Sequence, residues 1–427
     1  MLKTLFIATS ALALTAGVAA AQEANVTGVT GRPTATTPGT MRAAFGEQDT
    51  FANAATTPSA RQGNKAGAAS FSTSADTIID NLTGTGMADA AEQANGNTGL
   101  IDQDGSRNDA AITQNGSQGY AVVKQGSANN GTLVNEADVT QGTGENRAFI
   151  QQLATGGNAP GNPIQATIEQ ANAGLGLANN AAIIQGGSRR EGTASGVSTI
   201  FNAIANVNQS GANNDAVIAQ GTTDNANGQD NTGGNAGNFR AGVLQNGNNN
   251  AATVQQEVNA RVVGFDGKEG ITQNGNNNRA NILQMDGGTA AGSLQQAELH
   301  QRGNGNFGVI DQVGNDVASQ NFQFGGNNTL WVEQSGDNGY SGVTQDGFGN
   351  YAEVRQDSAN SSSTIYQGLD AALGDNNQAY VTQTADFAES RIASHGDNNL
   401  AVVFQGVAND FANISQTGNT NIASIRQ

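Results

Sequence analysis

From about Glu92 onward the chain alternates positions that stay fixed with positions that drift, and the fixed ones recur on an eleven-residue ruler. The mark on the ruler is glutamine. Gln103, Gln114 and Gln125 are eleven apart, as are Gln301, Gln312, Gln323, Gln334, Gln345, Gln356 and Gln367. The last marks are Gln383, Ser394, Gln405, Gln416 and Gln427. Elsewhere the spacing lengthens, but the pattern resumes before each next glutamine, giving 25 units of which 24 close with Gln. Two residues before the close stands an aliphatic residue in 24 of the 25, the exception being Asn321. Four before it stands Ala in 17 units, with Glu269 and Leu330 as the outliers, and six before it Asn is commonest, as in Asn250, Asn278 and Asn421.

Asn, Ala, Ile or Val, and Gln thus lie two residues apart. On an extended strand such residues share one face, while the drifting residues point the other way. Each seven-residue strand is followed by Gln-x-Gly-x-x, where Gly supplies turn conformations that other residues resist. One such strand buries nothing alone, but identical strands stacked in parallel at about 4.8 Å form ladders in which each amide donates to one neighbour and accepts from the other. A buried amide without those partners costs about 1–3 kcal/mol, and each buried Ile or Val contributes roughly 1.5–3 kcal/mol.

Insertions set the size of the coil. Numbering units from the one closing at Gln103, the long ones are 4, 6, 7, 8, 10, 12, 14 and 21, mostly even. Lengthening at every second unit fits a coil with two arcs, whose long loops gather along one edge. The expected architecture is therefore all-β: a two-sided parallel β-solenoid with a 22-residue coil of two 11-residue strand-turn arcs, about twelve rungs and about 60 Å long. Units 7 and 21 fall outside the rule. No proline follows Pro163, as strands that need every backbone N–H require.

Composition changes the picture only at the beginning. With 36% hydrophobic residues, 58 Gly and a net charge of −18, the whole chain carries the signature of disorder, which the periodicity overrides from residue 92. Residues 22–91 have no such periodicity. Rich in Thr, Ala, Gly and Ser, with Pro33, Pro38 and Pro58, they read as a flexible leader or an export-recognition segment. Residues 1–21, with Lys3, the apolar run Leu5 to Val18 and Ala19-Ala20-Ala21, read as a secretory signal peptide. There is no Cys, so disulfides are excluded, and 18 Lys+Arg against 36 Asp+Glu argues against nucleic acid as a partner. No later stretch is apolar enough for a transmembrane segment.

The motif Q-x-G-x-x-N-x-A-x-[I/V]-x-Q, carried by Gln273, Gly275, Asn278, Ala280, Ile282 and Gln284, resembles the curlin repeat of bacterial curli fibres. The resemblance covers residues 92–427. It implies a secreted functional amyloid on the cell surface of a Gram-negative bacterium, polymerising with itself and related curlin-like subunits into biofilm matrix. It further implies a curli-type outer-membrane secretion channel and a periplasmic chaperone as partners. Curlins are shorter and alternate a Ser-led with an Asn-led strand, whereas most units here carry Asn.

The residues expected to carry self-assembly are the ladder positions, among them Gln103, Gln114, Gln125, Gln312, Gln334, Gln345, Gln405, Gln416 and Gln427. The sequence stops as Gln427 closes a unit, which leads one to expect an open rung that templates the next molecule. Neither His300 nor His395 has metal-like or triad-like neighbours, the calcium-binding nonapeptide of β-rolls is not repeated, and no cofactor or catalytic site is expected. Tyr120, Phe307, Trp331, Tyr340, Tyr351, Tyr380, Phe404 and Phe411 occupy mostly outward positions, as surface strand formers or contacts between fibres. The competing reading is a monomeric surface adhesin that binds through its long loops; an enzyme would need clustered acids or bases on the outer face, and only scattered charges occur.

Overall fold

The computed structural model describes residues 97–427 apart from connecting segments, chiefly 128–134, 155–163, 172–177, 187–199, 222–235, 263–269, 285–294 and 369–374, and shorter gaps at 105–107, 117–118, 202, 238 and 257–259. The signal peptide and the leader lie outside the described residues, as do Pro160 and Pro163.

Every described element is a strand or a turn, and the strands sort by parity. The odd-numbered units form one parallel sheet of 13 strands, from Thr98–Asp104 to Ile422–Arg426. The even-numbered units form a second, from Asn108–Gln114 to Phe411–Thr417. Here these are called the odd and even sheets. The chain crosses from one to the other at every turn, so the fold is a two-sided parallel β-solenoid with one 22-residue coil per rung where no loop intervenes. The long connections 128–134, 155–163, 187–199, 222–235 and 285–294 all follow an odd strand and precede an even one. The strands that flank them place the ends of these connections at one edge of the stack. The two exceptions, before units 7 and 21, have their ends at the opposite edge.

Register is held without a slip across the stack. Gln103 lies opposite Gln125, Gln125 opposite Gln152, and Gln152 opposite Gln185. One rung is built differently. The unit closing at Gln273 splits into Ala260–Val262 and Ile271–Asn274, both paired with Arg240–Asn246. Val262 lies in register with Ala241, the pairing expected for Glu269, which lies outside the described residues.

Between the sheets runs a single apolar core of alternating Ala and Ile or Val, from Ala121 and Val123 to Ala412 and Ile414. Ala at one inward position and a branched aliphatic at the next let two flat sheets approach and interdigitate without strain. The turn glycines explain the Gly of the motif. Gly275 has φ +130° and Gly303 has φ +116°, a region open to glycine, and a Cβ on Gly275 would collide with the carbonyl oxygen of Gly303 in the next rung.

Candidate functional site, the amide ladders

On the odd sheet the glutamines form one unbroken chain. Gln103 Nε2 donates to Gln125 Oε1 at 2.7 Å, and Gln125 to Gln152 at 2.8 Å. The same bond links every following pair, including Gln284 to Gln312, Gln312 to Gln334 and, at 3.3 Å, Gln405 to Gln427. The second N–H of the amide is used too. Gln125 donates to the Asp109 carbonyl and Gln334 to the Ala318 carbonyl, each at the start of a strand on the facing sheet. A single side chain therefore ties its rung both to the next rung and to the opposite sheet.

The even ladder runs from Gln114 through Gln141, Gln170, Gln209, Gln245, Gln273, Gln301, Gln323 and Gln345 to Gln367. Ser394 interrupts it. Its hydroxyl reaches forward to Gln416 Oε1 at 3.0 Å, but it is too short to take the bond that Gln367 would donate.

Asparagine forms the expected side-chain ladder in places, Asn250 Nδ2 donating to Asn214 Oδ1 at 3.2 Å and Asn278 Nδ2 to Asn250 Oδ1 at 3.2 Å, and adds to it a bracket between side chain and backbone. The backbone N–H of Asn250 donates to Asn214 Oδ1 at 3.1 Å, that of Asn278 to Asn250 Oδ1 at 3.0 Å, and that of Asn421 to Asn399 Oδ1 at 3.0 Å. Asn278 Nδ2 donates meanwhile to the Gly303 carbonyl of the turn, at 2.8 Å. Nor is this bracket spread over most units alike. From Asn146 onward every odd strand is led by Asn, whereas the even ones are led by Ile164, Ala203, Phe239, Val317, Ser361 or others. From that point the alternation of two strand types is strict, whereas Asn108 and Asn135 lead earlier even strands and Gly119 an earlier odd one; its signal is the parity of Asn.

Of the expected ladder residues, Asn250, Asn278, Ile282, Gln125, Gln273, Gln284, Gln312, Gln334, Gln345, Gln405 and Gln416 are buried. Gln114 and Asn421 are half-buried, and Gln103 and Gln427 are exposed at the first and last described rungs. Four consecutive even strands place Ser319, Ser341, Ser363 and Ser390 at the inward Ala position, all buried. Of these, the hydroxyls of Ser341, Ser363 and Ser390 have no hydrogen-bond partner among the described residues.

The outward face departs from expectation on one sheet only. Tyr340 and Phe411, on the even sheet, are exposed, but Tyr120, Trp331, Tyr351 and Tyr380, on the odd sheet, are buried. His300 pairs with Glu298 and stacks on Phe322 at 5.3 Å between ring centroids. No model of a known protein family matches this chain, and no curated protein is significantly similar to it.

Proposed function

We propose that the chain is the subunit of a secreted, curli-like fibre, which stacks end to end so that the ladders run on from molecule to molecule. The observation that supports this reading is the sameness of the rungs. From Asn146 on every rung but the one with Ser394 carries the same amides at the same heights, so an exposed rung presents donors, acceptors and apolar columns that complement another copy. Within this proposal residues 1–21 direct export, a dedicated outer-membrane channel and a periplasmic chaperone deliver the chain, and the fibre serves adhesion and biofilm matrix on a Gram-negative cell surface. The test is direct. Mature chain diluted from denaturant is expected to form thioflavin-binding fibres with a cross-β repeat of about 4.8 Å along the fibre axis. A species that stays monodisperse for days overturns the reading.

One observation favours a second reading. Five of the long connections leave the odd sheet and return to the even one at the same edge of the stack, as binding loops on a rigid scaffold do. In that case the chain is a monomeric adhesin, and removing these loops would abolish surface binding.

A further inference from the structure

The outward face of the even sheet changes character along the stack. Its early rungs carry acids, with Asp109, Glu136, Asp138 and Glu169 pointing out and no outward basic residue on its described strands before Arg240. Its late rungs carry rings, and the rings alternate sides. Phe322 and Tyr366 stand in one outward column with Thr344 between them, while Tyr340 stands in another, between Ala318 and Ser362. Phe411 follows in the second column, beyond Glu389. Tyr340, Tyr366 and Phe411 are 38%, 42% and 52% exposed. From Gln295–Asn304 to Phe411–Thr417 the outward charges are Arg302 and Arg391 against Glu298, Asp346 and Glu389, a nearly neutral face on a chain of net charge −18. Two of the three carboxylates are paired, Glu298 with His300 and Glu389 with Arg391. A neutral face with exposed rings is where copies of an acidic chain can meet without repulsion.

We propose that this late half of the even face is an interface with a second copy of the chain, the two stacks lying antiparallel about a two-fold axis that runs along the strands between Tyr340–Phe348 and Ser362–Gln367. Such an axis keeps each outward column opposite itself and reverses the order of the rungs. Tyr340 then meets Ser362 of the second copy, Tyr366 meets Thr344, and Phe322 meets Ala393, so that each of these rings enters a gap left by a small residue, as packed sheets about 10 Å apart require. Arg391 meets Gln320, no two like charges come together, and the acidic halves run off in opposite directions. An axis along the stack would instead make the copies parallel and set Arg391 against Arg391 and Asp138 against Asp138, which repulsion opposes. Six rungs make a patch of about 29 Å by about 20 Å, so two copies bury roughly 1,200 Å², the lower end for a specific interface. The contact is lateral and does not depend on stacking. A fibre built from such pairs holds two strands of opposite direction, each polar in itself.

The test uses the whole mature chain with a photo-reactive benzophenone residue in place of Tyr340, mixed with unsubstituted chain labelled with heavy nitrogen. Illumination and tryptic mass spectrometry are expected to join the probe to heavy peptide 356–391, which holds Ser362; the parallel arrangement would join it to heavy peptide 303–355, which holds Thr344. Tyr340 stands three rungs from Phe411–Thr417, out of reach of a copy joined only through the ladders. Tyr366→Glu, at an exposed outward position, is expected to cut the yield of this crosslink about tenfold while leaving the melting temperature within a few degrees of the parent. Ser362→Glu serves in its place if that variant does not fold. Absence of heavy crosslinks, crosslinks to heavy 303–355, or a yield unchanged by the glutamate overturns the proposal. A chain that crosslinks as expected without ever forming fibres leaves the proposal standing and overturns the stacking; fibres without these crosslinks do the reverse.

Discussion

If the ladder amides hold the stack together, then Gln334→Ala should weaken it far more than its size suggests. Gln334 is fully buried. Its Oε1 accepts from Gln312 Nε2 at 2.9 Å, and its Nε2 donates to Gln356 Oε1 at 2.9 Å and to the Ala318 carbonyl at 3.1 Å. Truncation leaves an N–H of Gln312 and the Oε1 of Gln356 buried without each other or anything else along the ladder. Two such groups cost about 2–6 kcal/mol together, since each costs about 1–3 kcal/mol. The space left by the side chain adds roughly another 1 kcal/mol. The control is Thr344→Ala, an outward change on the even sheet expected within about 0.5 kcal/mol of the parent. Trp331, on the same strand as Gln334, reports the event in a urea titration. Each rung touches mainly its neighbours, so the weak rung lowers the free energy of opening around itself and moves the Trp331 transition. A loss below about 1 kcal/mol, or one matched by Thr344→Ala, would refute the reasoning, because a hydrated amide would then explain it as well.

Four other outcomes are expected. Ser394→Gln completes the even ladder between Gln367 and Gln416 and should stabilise the fold by about 1 kcal/mol in the same titration; a destabilised variant would show that the rung has no room for the longer side chain. Gly275→Ala should lose several kcal/mol, since it adds both a positive φ and a collision with the Gly303 carbonyl, while Gly339→Ala, whose nearest neighbours would stand at 3.4 Å, should be close to neutral; melting temperatures of the two compare them. Burial, with the Glu353 charge adding to it, holds the Tyr380 phenol protonated well above its usual value of 10.0. Stability should therefore be full below that pH and fall as pH rises past it, and Tyr380→Phe should flatten the fall, leaving a smaller slope from Tyr340, raised chiefly by its own burial. Parallel alkaline losses in parent and variant would count against a buried phenol. The remaining outcome concerns the direction of stacking.

Much of this was legible because the interior repeats. Gln, Ile or Val and Ala at alternate positions specify strand, face and register at once, and a loop that lengthens at every second unit reveals the number of arcs. What escaped was local. Glu269 looked like an error in the Ala column because the count ran backward from Gln273 into residues 263–269, whereas Val262, before them, is what pairs with Ala241. The bracket role of Asn depends on where a backbone N–H lies relative to the next rung, which spacing alone does not give. The burial of Trp331 and Tyr380 could not be read from the drifting positions at all, since their pattern varies with whatever covers them. Ser341, Ser363 and Ser390 remain a polar seam in the apolar core for which the structure gives no reason.

The ladders also have a direction, and it constrains how copies can meet. Along both sheets the ladder glutamines, Gln367 beside Ser394 excepted, donate a side-chain N–H toward the later rung, as Gln312 does to Gln334 and Gln323 to Gln345. The Asn bracket runs the opposite way, the backbone N–H of each later Asn donating to the earlier Oδ1, as Asn328 does to Asn306. Any rung thus shows Gln donors and Asn acceptors on its later side, and Gln acceptors and Asn backbone donors on its earlier side. Later side against earlier side matches every group. Two like sides meet donor to donor at the glutamines and acceptor to acceptor at the asparagines, leaving several buried groups unpaired at about 1–3 kcal/mol each. Fibres built this way must therefore be polar. Gold attached near the C-terminus should mark them at one uniform interval of about one stack length. Two alternating intervals would mean that copies meet like side to like side, and the ladders could not then be what joins them.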